Sequence, residues 1–239
     1  MHNYIQIAID GPGSAGKSTL AKGAAAKLAE TIDCVYVDTG ALYRAVGLYM
    51  TRRGIDCADA PAVEKALPDV SVTLRHGVGG QIVLLCGEDV TGLIRTPEIS
   101  SAASKVSAVP AVRAFLLDTQ RSIADSVSVV MDGRDIGTVI LPDADVKVFL
   151  TATAEQRAKR RYKELIEKGQ TVDYETVYSD LVARDRADET RAAAPLRAAE
   201  DAIPFDNSEI GIEEGIDWLI DRVKERCPEK LAALKREDA

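Results

Sequence analysis

The chain has 239 residues, of which 46% are hydrophobic and 28% charged, with a net charge of −8 at pH 7; this supplies one large domain, or a core carrying insertions, and argues against disorder. A negative balance argues against nucleic-acid partners, because tracking a phosphate backbone needs a positive face, so any anionic ligand must be met by local basic clusters. No window approaches the roughly 18 consecutive apolar residues of a membrane span, and Asp10 arrives before a signal-peptide core could be completed, so the expectation is a cytoplasmic protein with no membrane partner.

The run YIQIAI at 4–9 reads as a strand that enters a glycine turn, and residues 18–30 show the alanine-rich, lysine-punctuated pattern of a helix. CVYVD at 34–38 gives a second strand ending in an acid, followed by a helix with apolar positions at 42, 45, 46 and 49 that stops at Gly54. Between about 69 and 94 the pattern alternates around a glycine-rich turn at 77–80, which predicts an inserted antiparallel hairpin. Helical patterns return over 96–107 and 110–125; SVVMDGRD is then a buried strand ending in acids, and VKVFLTA at 146–152 another. Thr153 and Gln156 suggest a capping box for a helix that Gly169 terminates, and a second polar helix is expected over about 173–186. A loop leads into a last short strand and an amphipathic helix over 213–226, and the tail from Pro228 reads as a frayed or weakly docked helical end.

Cys34, Cys57, Cys86 and Cys227 form no CxxC pair and read as reduced, mostly buried thiols, while His2 and His76 cannot make a metal cluster or a catalytic triad.

The stretch IAIDGPGSAGKSTL satisfies two phosphate-binding patterns: Gly11, Gly13 and Gly16 read as GxGxxG, and Gly11 through Ser18 as GxxxxGKS. Asp38 even lies near the spacing at which a dinucleotide fold places its ribose-binding acid, roughly 20 residues on. Lys17, Ser18 and Thr19 separate the two readings, because a dinucleotide loop has no use for a lysine after its third glycine. A triphosphate loop needs that cation on the β/γ-phosphates and a hydroxyl on Mg²⁺. Gly11, Pro12, Gly13, Ser14, Ala15, Gly16, Lys17, Ser18 and Thr19 are therefore expected to hold ATP, with Ser18 as the metal ligand. Asp38 then becomes a strand-end acid facing the same cleft.

Asn3 and Asn207 are the only asparagines, and neither sits in an NKxD-type guanine-reading element, which removes the GTPases and leaves a small-molecule kinase. Such an enzyme needs arginines that converge on phosphate, and the candidates are Arg44, Arg134, Arg157, Arg160, Arg161, Arg184 and Arg191. Arg157, Arg160 and Arg161 share one helix face by i, i+3, i+4 spacing, on a basic stretch that could close over ATP. RDRADETR at 184–191 is nearly charge-balanced, and composition alone leaves it as a salt-bridged surface helix.

Together IDGPGSAGKST, DTGALYR, GEDVTGLIRTPEIS, AASKVSAVPAVR, DGRDIGTVILPDADVKVFLTA and RDRADETRAAAPL resemble the bacterial cytidylate kinases, the CMP/dCMP kinases among the nucleoside monophosphate kinases, over nearly the whole chain. The resemblance implies an α/β P-loop NTPase three-layer fold with a five-stranded parallel core sheet, an inserted monophosphate-binding domain with an antiparallel hairpin, and a short helical lid. The core would span about 1–40, 108–153 and 192–226, the insertion about 41–107 and the lid about 154–191. It also implies ATP as donor, Mg²⁺ as cofactor, a monomer, and transfer to CMP and dCMP. By the same resemblance Arg44, Arg134 and Arg191 grip the acceptor phosphate, Arg184 and Asp188 reach the ribose, Ser104, Arg113 and Asp135 read cytosine, and Thr39 and Tyr43 line the pocket. Lys17, Arg134, Arg157 and Arg161 are the expected catalytic cations, and Asp132 either meets a magnesium-bound water or caps its loop. Ala187 and Glu189 depart from the family, which often carries basic residues there.

The base set makes chemical sense, since cytosine offers an amino donor where uracil has a carbonyl, and an aspartate accepts only from the former. The rival readings are another monophosphate kinase, separated by that base set, a dinucleotide-binding oxidoreductase using Gly11, Gly13, Gly16 and Asp38, and a non-catalytic nucleotide-binding regulator.

Overall fold

The computed structural model describes residues 2–77 and 80–236. The chain opens with β1 (Gln6–Asp10), α1 (Lys17–Ala29), β2 (Cys34–Asp38), α2 (Thr39–Arg52) and α3 (Ala60–Ala66). Next come β3 (Val72–Gly77), β4 (Gly80–Leu85), β5 (Glu88–Asp89), α4 (Pro97–Val106) and α5 (Pro110–Ala124). β6 (Ser128–Gly133) leads into a π-helical turn at Ile136–Ile140, followed by β7 (Val146–Thr151), α6 (Ala154–Glu167), α7 (Tyr174–Thr190), β8 (Ile203–Asp206), α8 (Ile212–Arg226) and α9 (Pro228–Leu234).

Five strands pair in parallel in the order β2-β6-β1-β7-β8. β1 is buried along its whole length, as a central strand covered on both faces must be. Its register sets Ile9 beside Asp132 and Asp10 beside Gly133, while β2 sets Asp38 beside Asp132. The carboxyl ends of three neighbouring strands therefore deliver acids to one edge, and α1 starts there too. That edge, beside a strand with parallel neighbours on both sides, is where open α/β sheets bind ligands.

One face of the sheet packs on α1 and α8, through Leu20, Leu28, Leu219 and Val223. The helices approach closely at Gly23, where a Cβ would lie 2.1 Å from Ile216 Cδ1. Met131, Ile136 and Ile140 line the other face beside α5. A third cluster, including Leu42, Met50, Val83, Ile94, Val106 and Leu116, gives α2–α5 and the three-stranded antiparallel sheet a core of their own.

The hairpin pairs in register from Val72 with Leu85 to Gly77 with Gly80, while positions 78 and 79 of the expected turn lie outside the described residues. Four features differ from the sequence expectation. α7 runs one turn further than expected, to Thr190, and buries Asp185 and Asp188, because arginines from other elements meet them; it is no surface helix at that end. Only half of the capping box forms: Thr153 Oγ1 accepts from Gln156 N at 3.3 Å, but Thr153 N donates to Ser208. The tail is docked through α9, with Leu231 and Leu234 on the core and Lys230 Nζ 2.6 Å from Asp145. Cys57 and Cys227 are buried, but Cys34 is partly open and Cys86 exposed.

Candidate functional site

The glycine loop joins the end of β1 to α1. Gly11 has φ +149°, and a Cβ there would stand 2.0 Å from the Leu150 carbonyl oxygen, so only glycine fits against β7. Gly16 caps α1 at φ +97° and Ser14 stands at φ +57°; turns of this kind aim successive N–H groups into one concavity, at a helix N-terminus that favours anions. Lys17 is 5% exposed, and its Nζ donates to the Pro12 carbonyl at 2.6 Å across the loop. Burial, then the charge of Arg134, lowers its pKa to about 7, with Asp132 and Asp10 opposing and Arg184 adding to the fall.

The strand-end acids organise what faces the loop. Asp132 accepts from Ser18 Oγ at 3.0 Å and from Tyr36 Oη at 2.7 Å, and its own carbonyl accepts from Thr39 Oγ1 at 2.8 Å. Burial, and then Asp38, pushes the Asp132 carboxyl up. Asp10 takes the N–H groups of Ile136 and Gly137 at 2.8 and 2.7 Å and so fixes the π-helical turn next to Arg134 and Asp135. Burial raises Asp10 to about 6 despite those two bonds. Asp38 caps α2 through Ala41 N at 3.0 Å and holds Arg44 at 2.7 Å and Arg95 at 3.3 Å.

The arginines arrive from α2, α5, α7, the residue after α7 and the loop after β6; Arg44, Arg113, Arg134 and Arg191 are each presented by an acid, and among the described residues Arg184 is not. Arg134 Nε donates to Asp188 at 2.8 Å, and Arg191 lies 3.8 Å from Asp188 and 3.6 Å from Asp135. Arg113 pairs with Asp135 and covers the Tyr43 ring at 5.4 Å. Against the upward push of burial, Arg134, Arg184 and Arg191 hold Asp188 below the ordinary carboxylate range. Burial, then Arg134, depresses Arg184 to about 10, and Arg44 and Arg161 add to the effect, so these cations share one region. Arg44 Nε, Arg184 Nε and Arg191 Nη2 are buried without a hydrogen-bond partner. Buried N–H groups that carry part of a positive charge and make no hydrogen bond suit an incoming anion, although Arg44 and Arg191 also stand in ion pairs with Asp38 and Asp135.

Two cavities lie beside this cluster. One, about 620 Å³, is lined by Gly13, Ser14, Ser104, Arg161 and Arg184 among others; a second, about 290 Å³, by Tyr43, Arg113, Gln120 and Asp135. Arg113, Asp135 and Tyr43 thus come together, whereas Ser104 lines the larger cleft.

Two arginines of α6, Arg157 and Arg160, bond to the loop main chain, and the third, Arg161, lines the cleft beside it. Arg157 is 6% exposed and donates to the carbonyls of Gly13 and Ala152, each at 3.0 Å. Arg160 donates to the Ala15 carbonyl at 3.3 Å and to Asn207 Oδ1 at 3.1 Å, and Arg161 pairs with Glu164 at 2.9 Å. Sequence reasoning missed Asp10, Tyr36, Arg95, Asp185 and Asn207 as parts of this site. Only Asp10 carried a signal, an acid placed directly before the first loop glycine.

A main-chain nest for one phosphate, facing buried guanidinium groups for another, suits transfer of a phosphoryl group between two anions, and it places the chain among the P-loop phosphotransferases. Comparison narrows that class. The profile of the family described as cytidylate kinase matches residues 7–225. The cytidylate kinase of Pelotomaculum thermopropionicum is 46% identical over 224 residues, which covers 93% of this chain and 97% of the relative. That of Carboxydothermus hydrogenoformans is 47% identical over 217 residues, covering 91% and 96%, and that of a Geobacillus species 44% identical over 226 residues, covering 95% and 99%. The chain belongs to the cytidylate kinase family, a family of nucleoside monophosphate kinases. This membership removes the dinucleotide reading of the glycine loop, and Asp38 is accounted for as a helix cap that holds two arginines.

Proposed function

We propose that the chain transfers the γ-phosphoryl group of ATP to CMP and dCMP, giving CDP and dCDP. The observation that carries this reading is the buried Lys17 ammonium in a main-chain anion nest, opposite unpartnered N–H groups of Arg44, Arg184 and Arg191. One side fits the donor phosphates and the other the acceptor phosphate. A monophosphate is largely ionised near neutral pH, so its oxygen attacks without a strong general base, and positioning and charge carry the rate. Lys17 would exchange the Pro12 carbonyl for a phosphate oxygen, and Arg134, whose Nη2 would lie 3.7 Å from a Cβ at Gly13, reaches between the loop and Asp188.

The donor set also fits Mg²⁺. Ser18 Oγ and the Asp132 carboxylate are hard oxygen groups side by side, and among the described residues no cluster of three or more His, Cys, Asp or Glu could hold a metal alone. That matches an ion held by one or two protein groups together with substrate phosphates. When bound, the ion would offset charge on the β/γ-oxygens; Ser18 would be its ligand and Asp132 its neighbour.

Asp135, gripped by Arg113 and Arg191, is the acceptor for the cytosine amino group, and uracil would set a carbonyl against it. In this reading residues of about 41–107 hold the monophosphate, those of about 154–191 form a lid, and the remainder is the core. The enzyme would act as a cytoplasmic monomer on free nucleotides; among the described residues no helix is long and apolar enough to cross a membrane.

The test is ADP release from Mg²⁺-ATP with CMP, dCMP, UMP, AMP, GMP and dTMP, each at equal concentration. Turnover confined to CMP and dCMP is expected. Preference for another base would overturn the assignment of Asp135, and no turnover with any of the six would overturn the kinase reading.

A further inference from the structure

The phosphate loop is held on both sides of one residue, Gly13, by the helix pair α6–α7. Asp185 Oδ1 accepts the Gly13 N–H at 3.4 Å, and Arg157 Nη1 donates to the Gly13 carbonyl at 3.0 Å. The two side chains close the ring through an ion pair of 2.6 Å, and Arg157 Nε is anchored on the Ala152 carbonyl just beyond β7. Both residues are buried, at 6% and 8% exposure.

Burying such a pair costs solvation of two charges, and it persists only where the remaining donors and acceptors are satisfied in good geometry. Here Asp185 Oδ1 and Arg157 Nη1 meet the loop main chain and Arg157 Nε the Ala152 carbonyl, so the ion pair and the loop conformation depend on each other. Arg184 precedes Asp185 on α7, and Asp188 follows one turn later to hold Arg134. A shift of α7 would therefore move the acceptor-side cations and pull on Gly13 together. Arg157 is committed to two carbonyls and a carboxylate, which leaves Arg161, paired only with exposed Glu164, as the α6 arginine freer to meet a phosphate.

We propose that Asp185 is a positioning residue: with Arg157 it clasps the two peptide groups that flank Gly13 and couples the lid helices to the geometry of the donor loop. Arg157 then acts through the loop and not on the moving phosphoryl group. The kinetic part of this inference rests on the ATP-binding reading above; the structural part does not.

Hydrogen exchange on the ligand-free full chain and steady-state kinetics test it together. In Asp185→Ala, amide exchange across residues 11–17 should speed up about tenfold, as loss of a charge-assisted bond implies. KM for ATP should rise by a similar factor while KM for CMP stays within about twofold, and Asp185→Asn, which keeps an acceptor but loses the charge, should fall between. Asp185→Ala combined with Arg157→Ala should be no worse than the more damaged single variant, because the two act as one unit. Unchanged loop exchange and unchanged KM for ATP in Asp185→Ala, or in Asp185→Asn should the alanine variant fail to fold, overturn the proposal. So does an additive double variant. Exchange is read without nucleotide, so a wild-type enzyme inactive on CMP would overturn the functional reading and leave this test in force.

Discussion

In the proposed reading the donor loop draws on the consecutive residues 11–19, mostly through main-chain N–H groups, whereas the acceptor side draws on Arg44, Arg113, Arg134, Arg184 and Arg191 from places far apart in the chain. The loop's shape follows from a few backbone angles, such as φ +149° at Gly11 and φ +97° at Gly16. The acceptor side has no such local template. All of these arginines but Arg184 are held by Asp38, Asp135 and Asp188, each of which meets two guanidinium groups. A main-chain site is rigid and indifferent to most side-chain changes, while a side-chain site needs a network of opposite charges to preorganise it before the anion arrives.

The difference can be broken at the loop first. Lys17→Ala should lower kcat by about a thousandfold or more, since it removes the ammonium group buried inside the donor loop. Its melting temperature should hold or rise, because the lysine is buried against the pull of solvation. Near-normal turnover would sink the assignment of the loop as the donor site. On the acceptor side, Asp135→Asn should raise KM for CMP by roughly 10- to 100-fold and narrow the gap between CMP and UMP. An unchanged preference would show that the base is read elsewhere.

A pH titration sharpens the contrast. With Lys17 brought to about 7 by burial and then by Arg134, the free enzyme loses this proton as pH rises through 7, and a bound triphosphate restores it. ATP affinity should therefore fall by about tenfold per pH unit above 7, with binding taking up close to one proton. Calorimetry in buffers of different ionisation enthalpy measures that uptake directly, and its absence at pH 8.5 would mean that the lysine is already charged. The smallest effect belongs to Arg95→Ala. Its side chain is 52% exposed and reaches Asp38 only at 3.3 Å, so solvent screens it, and KM for CMP should change by no more than about threefold. A larger change would make Arg95 a direct phosphate contact.

Much of this site is legible in the sequence, but unevenly. Gly11 to Thr19 can be read because strand, loop and helix are contiguous there. Arg44, Arg113, Arg134, Asp135, Arg184, Asp188 and Arg191 are legible only through motif resemblance, since no spacing rule links residues so far apart. Asp185 escaped both routes: within RDRADETR its charge looks balanced by neighbours, yet it pairs with Arg157, 28 positions away. In the sequence Asn207 reads only as a missing guanine reader, but its Nδ2 donates to the Ala15 carbonyl at 2.8 Å.

By itself the sequence determined the phosphate loop, the alternation of strands and helices, the inserted hairpin and the family. Each of these is written in local periodicity or in contiguous motifs, where backbone angles depend on neighbouring residues. Tertiary structure alone decided which acid holds which arginine, that Arg157 is turned inward while Arg161 lines the cleft, and that Asp10 secures the turn beside Asp135. Those choices depend on strand register and on the crossing of α6 and α7 over the sheet edge. Charged side chains identical in composition become a solvated surface or a buried network according to which partners that register brings within reach.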